Sequence, residues 1–244
     1  MPTDCIIPLG TGSASDNDEL RILLRSLEKN AEGVGRVVVV SQCAPSWLSS
    51  AVELIDFPDR HGNNKDANII EKTLAGIRHL GCNRFVSLLD DFVFLQRIPL
   101  DAIPILYNNR GQQNFAPDFR TREWGIWHKR IYHTFWLADM LRLPISHNYE
   151  CHAPQSFDAT KILAGIKRIN YQAAPGFGIY TLFRLLEGIT GGEDQRKYKR
   201  TFESASEANL PFDLPLGGYN DDAFLHGLRE RLFALFPEKS RFET

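Results

Sequence analysis

The chain has 244 residues, 43% hydrophobic and 24% charged, enough for a sizeable core and most simply one domain spanning 1–244. Its formal charge of -2 excludes a surface that binds nucleic acid or anionic membrane over its whole extent. Cys5, Cys43, Cys82 and Cys151 form no CxxC pair, which excludes a zinc knuckle and points to small reduced core residues. The opening MPTDCIIPLG has no basic and apolar leader, and no apolar run approaches a membrane span, so a cytoplasmic protein is expected.

Cys5 to Leu9 is a short apolar run that breaks at Gly10 into the polar loop TGSASDN. A helix follows, with Leu20, Leu23, Leu24 and Leu27 on one stripe and a capping-box pattern in Asp16 and Glu19. Arg36 to Ser41 (RVVVVS) is continuous and β-branched, as a parallel strand covered on both faces requires. Ala51 to Phe57 is a third strand, and Asp66 to Leu80 a second amphipathic helix with Ile70, Leu74 and Ile77 inward. Alternating strands and helices predict an α/β fold with a mostly parallel sheet flanked by helices, its ligands at the carboxyl ends of the strands.

Arg84 to Leu95 (RFVSLLDDFVFL) reads as a buried strand with Asp90 and Asp91 in its middle. Two buried carboxylates need compensation: a divalent cation, a pair of basic side chains, or a turn that lifts them to the sheet's rim. A cation held by one or two carboxylates commonly completes its shell with water and phosphate oxygens.

Beyond Pro99 come proline breaks, aromatic clusters and short helices at Tyr132–Leu141, Ala159–Ile169, Gly178–Ile189 and Ala223–Phe236. Residues 99–244 therefore look like an irregular helical substrate lid or acceptor platform, set after a first half, 1–98, that carries the regular α/β pattern. Gly188 to Arg200 is expected to be a mobile loop.

Several motifs carry chemistry and also have plain structural readings. Gly10, Thr11, Gly12 and Ser13 lack the lysine of a P-loop and the third glycine of a dinucleotide fingerprint; they make either a bare turn or a small-residue floor for a base or ribose. At the head of the second helix, either Asp66 is simply a cap, or Lys65 binds a phosphate and Asn68 reads a hydroxyl on the same face. HNYECHAPQSF gathers His147, Glu150 and His152, of which His152 is either structural or the partner of Asp91 at a metal. Of Asn220, Asp221 and Asp222, one caps a helix and one carboxylate is left as metal ligand or general base. Arg120, Arg122, Trp124 and Trp127 open a segment that mixes aromatic faces with guanidinium groups. It is either an aromatic helix with a solvated face or a platform for sugar rings or nucleic-acid bases.

Four segments together, DNDELRILLRSLEKN (16–30), FVSLLDDFVFL (85–95), NYECHAP (148–154) and YNDD followed by LFPEKSRFE (219–222, 235–243), resemble in order the blocks of the Stealth sugar-phosphate transferases. These are GT-A-like enzymes that use nucleotide sugars and a divalent metal. The resemblance implies Mn²⁺ or Mg²⁺ with diphosphate at Asp90 and Asp91, a catalytic or metal-binding His152, Asn220-Asp221 as the polar C-terminal pair, and Arg21 reaching a substrate phosphate while Arg25 buttresses its helix. The family's opening block carries a tryptophan and a longer acidic turn, where this chain has IIPLGTGSAS. The expected function is transfer of a sugar from a nucleotide-sugar donor to the hydroxyl of a glycan or other acceptor. Sugar-1-phosphate transfer, glycosylation of a hydroxymethylated base in DNA, and a non-catalytic glycan or nucleic-acid binding module are the alternatives.

Overall fold

The structure, a computed structural model, describes residues 2–11, 15–108, 125–144, 147–173 and 175–244. Strand β1 (Thr3–Pro8) leads to helix α1 (Asp18–Asn30), then β2 (Ala31–Glu32), β3 (Val34–Ser41), β4 (Val52–Asp56) and helix α2 (Lys65–Leu80). Strands β5 (Arg84–Ser87), β6 (Phe92–Phe94), β7 (Ile98–Pro99) and β8 (Leu106–Tyr107) precede helix α3 (Ile126–Met140). Then come β9 (Gln155–Asp158), α4 (Ala159–Gly165), α5 (Ile179–Glu187), β10 (Glu193–Asp194), β11 (Lys199–Phe202), β12 (Leu216–Tyr219), α6 (Asp221–Ala223) and α7 (Arg229–Leu235).

The main sheet has the order β4-β3-β1-β5-β9, parallel throughout except for antiparallel β9 at one edge. Val37 to Val40 and Ile6 to Ile7 are fully enclosed, as central strands covered on both faces must be. Gly76 brings α2 onto β1, since a Cβ there would lie 2.7 Å from Ile6 Cγ2. The chain is thus an α/β protein with a mixed, mostly parallel sheet flanked by helices. No helix among the described residues is long and apolar enough to cross a membrane.

A second sheet, order β11-β12-β6, was not foreseen. The run Arg84–Leu95 is therefore two strands in two sheets rather than one, and the turn at Asp90-Asp91 joins them. Tyr219 of β12 donates its backbone N–H to the Asp91 carbonyl at 3.2 Å, so the second sheet fixes that turn.

Other details depart from expectation. The α1 cap is not a capping box: Asp16 and Asn17 both take left-handed backbone (φ 52 and 58), and Glu19 accepts from the Ser15 hydroxyl. Asn64, not Asp66, caps α2 by accepting from the Ala67 N–H. Residues 188–200 are structured, with β10, a 3-10 turn and the start of β11. Ala223–Phe236 is broken by non-helical His226 and Gly227, the latter at φ 113, which glycine alone adopts readily. All four cysteines are free; Cys5 and Cys151 lie in the core, whereas Cys43 is exposed.

The C-terminal segment returns to α1. Arg25 grips Glu243 through Nε and Nη2 at 2.8 and 2.9 Å and donates to the Phe236 carbonyl, while the Ser49 N–H donates to the Phe242 carbonyl and the Thr244 N–H to the Trp47 carbonyl. The Arg25 expectation, a buttress for its helix, matches this placement.

Candidate functional site

The ends of β1 and β4, the turn after β5 and the first two turns of α2 enclose a cleft of about 780 Å³. Gly10, Thr11, Lys65, Asn68, Asp90, Asp91, His152 and Asp221 all line it. Residues from Gly10 to Asp221 thus converge where a parallel sheet presents its carboxyl edge.

Asp91 Oδ2 lies 2.8 Å from His152 Nε2, while Asp91 Oδ1 is buried with no hydrogen-bond partner among the described residues. Asp90 is half-buried; burial first, then the charges of Asp91 and Glu19, push its carboxyl up to about 7. His152 stands at φ 48, a left-handed conformation uncommon for a residue with a side chain, and its ring meets Phe92 edge to face at 5.4 Å. Asp221 projects from the first turn of α6 with its carboxylate exposed, because Asn220 serves as the cap.

The unusual proton affinity of Asp90 has a stability consequence. Its unfolded value is near ~3.9, so between about 4 and about 7 the native state holds more protons than the unfolded chain, and Asp90's contribution is lost as pH rises. Asp90→Asn is expected to raise Tm at pH 8 by about 2–4 °C for each kcal/mol relieved and to leave Tm little changed at pH 4.5. Thermal unfolding of both proteins at the two pH values checks this; an equal shift at both would disprove it.

A second cleft of about 760 Å³ adjoins the first and shares Lys65, Ile69, Leu89 and His152 with it. Trp127, 40% exposed, lies along it, as do the Arg130–Asp66 ion pair (Nε to Oδ2, 2.8 Å), Glu150 and Lys199. Burial raises Asp66 to about 6 against the pull of Arg130, and Glu150 to about 7 despite the Thr181 N–H that it accepts at 2.8 Å. Lys65, exposed and in no ion pair among the described residues, faces both clefts.

Other expected site residues sit differently. Arg21 does not line the cleft; it lies over Trp47 at 4.1 Å with Asp16, Asp18 and Glu243 around it. Asn68 reaches the wall of the cleft, but its side chain is committed to the Arg60 and His61 N–H groups and the Gly62 carbonyl. Asp222 points away, accepting from the Ala205 N–H and pairing with His226 at 3.2 Å. Gly12, Ser13, Arg120, Arg122 and Trp124 lie outside the described residues.

Sequence reasoning missed Glu19, Asp59 and Lys72, which also line the first cleft. Lys72 is 2% exposed, and its Nζ bridges the Leu9 carbonyl at 2.8 Å and Asp59 Oδ1 at 2.6 Å. A signal existed: 65, 68, 69 and 72 follow the i, i+3, i+4, i+7 rhythm of one helix face.

The described residues contain no ready-made cluster of three or more His, Cys, Asp or Glu around a metal position. The orphaned Asp91 oxygen and the neighbouring Asp90 nevertheless form a hard oxygen donor set that fits a divalent cation whose remaining ligands come from water and phosphate. No protein-family model matches the chain, and the search of curated proteins found no match.

Proposed function

We propose that this chain is a GT-A-like, divalent-metal-dependent glycosyltransferase that moves a sugar from a nucleotide-sugar donor to an acceptor hydroxyl. The observation that carries the reading is the meeting of two clefts at His152, beside a carboxylate pair of which one oxygen is buried and without a hydrogen-bond partner among the described residues. The first, carboxylate-rich cleft takes the donor, with Lys65 toward its diphosphate. The second, with Trp127 exposed along it, takes the acceptor.

Asp90 and Asp91 would hold Mn²⁺ or Mg²⁺, which when bound neutralises charge on the leaving diphosphate. The protein's own part is the proton. His152 Nε2–H donates to Asp91 Oδ2, which leaves Nδ1 to accept the acceptor's hydroxyl proton. The acceptor oxygen then bonds to the sugar's C1 as the bond from C1 to the diphosphate oxygen breaks, and nucleoside diphosphate departs. Asp221 reaches the same cleft from α6 and suits a sugar hydroxyl.

The test is a thermal-shift panel of UDP-, GDP-, CMP- and dTDP-sugars with and without Mn²⁺, followed by mass analysis of the nucleotide released. A metal-dependent rise with one donor and diphosphate release are expected. Monophosphate release from a UDP-, GDP- or dTDP-sugar would replace this reading with sugar-phosphate transfer, whereas CMP is the ordinary glycosyl-transfer product of a CMP-sugar. No shift with any donor would favour a binding module for glycan or, if binding is salt-dependent, for DNA.

A further inference from the structure

We propose that Lys199 is a positioning residue that aims the His152 imidazole by holding the peptide on which that ring is mounted. The catalytic consequence rests on the reading above; the structural claim does not.

Lys199 opens β11 and is 6% exposed, an expensive place for an ammonium group. Its Nζ donates to the Cys151 carbonyl at 2.6 Å, the short distance expected of a charge-assisted bond. That carbonyl belongs to the peptide joining Cys151 to His152. Rotation about the N–Cα bond of His152 swings it, so a Cys151 oxygen tied to a fixed ammonium fixes φ of His152. The angle held is 48°, in the left-handed region that a side-chain-bearing residue keeps only when its surroundings over-determine it.

The surroundings on the other side are equally close. Gly218 of β12 runs beneath His152 with no side chain, and a Cβ there would collide with the His152 carbonyl oxygen and lie 2.9 Å from Lys199 Cε. Gly218 pairs with Phe92, whose ring abuts the His152 imidazole. Backbone and ring of His152 are therefore held by three residues of the second sheet, Lys199, Gly218 and Phe92, and Asp91 receives Nε2 where that arrangement delivers it. The lysine also borders the second cleft, so the proposal must be separated from direct contact with an acceptor.

The experiment uses the full chain carrying Lys199→Met, which keeps the length of the side chain and loses its donors. Long-range ¹H–¹⁵N spectra of the His152 ring are recorded without substrate, and kcat and KM are measured with the donor that the panel identifies. The ring signals are expected to leave the wild-type pattern, with kcat down about 30-fold or more and both KM values within about twofold. If Lys199→Met does not fold, Gly218→Ala, whose added methyl presses on the His152 carbonyl and on the Lys199 side chain that holds the Cys151 carbonyl, should displace the same signals. Unchanged His152 signals in the folded variant would overturn the proposal, as would a rise confined to acceptor KM. If the wild type turns over no donor, the transferase reading fails while the spectra still decide the positioning.

Discussion

Asp91→Asn is expected to abolish metal-dependent turnover, a fall on the order of a thousandfold, while Tm stays within a few degrees of wild type. The substitution keeps the shape of the side chain and removes the charge at an oxygen that is buried without a hydrogen-bond partner among the described residues. The native chain already bears the cost of that orphan oxygen, so neutralising it does not endanger the fold. Function should suffer twice, because the same carboxylate orients His152 through the 2.8 Å contact to Nε2. Mn²⁺ titration followed by donor turnover checks both parts. Wild-type turnover with a normal melting curve would remove Asp91 from the site.

The largest stability effect belongs to Arg25→Met. Glu243 has a fully buried side chain; burial alone would raise its carboxyl, and the Arg25 guanidinium together with the Ser240 N–H outweighs that and holds it below the usual range. Without Arg25 the carboxylate is left in the interior with, among the described residues, Arg21 Nη1 at 3.6 Å as its remaining ion-pair partner. A loss of about 3–5 kcal/mol is expected, hence a fall in Tm on the order of 10 °C. Since the native value is depressed, Glu243 stabilises above its unfolded pKa and loses that contribution as pH falls through the folded one. The variant should therefore sit closest to wild type in acid. Denaturant unfolding at pH 7 and pH 4 measures this, and equal destabilisation at both would show that lost packing, not charge, was responsible.

The legible parts of the fold were those with strong local signals. The β-branched run 36–41 and the stripes on α1 and α2 announced a central strand and two covering helices, and the structure has them. The adjacent carboxylates were also readable, because two charges inside an apolar run demand a special arrangement, here the turn to the rim. The second sheet was not. LGGY carries two glycines and KRTF two cations, and each becomes a strand only through its pairing, as Gly218 does opposite Phe92. Arg21 illustrates the limit in the site itself. Its position on α1 was known, but nothing in the chain said that Trp47 and Glu243 would claim its guanidinium.

The Arg25–Glu243 clasp also orders events in time. Its two ends are 218 residues apart. At the ~5–20 residues per second of chain synthesis, α1 waits about 10–40 s for its partner to be made. The parallel strands can pair once residue 87 has emerged, so a nascent sheet forms early, with a helix whose charged anchor is still bare. During that interval the guanidinium of Arg25 must be solvated by water, and the last segment to be made closes the charged face of a helix that the sheet has already seated.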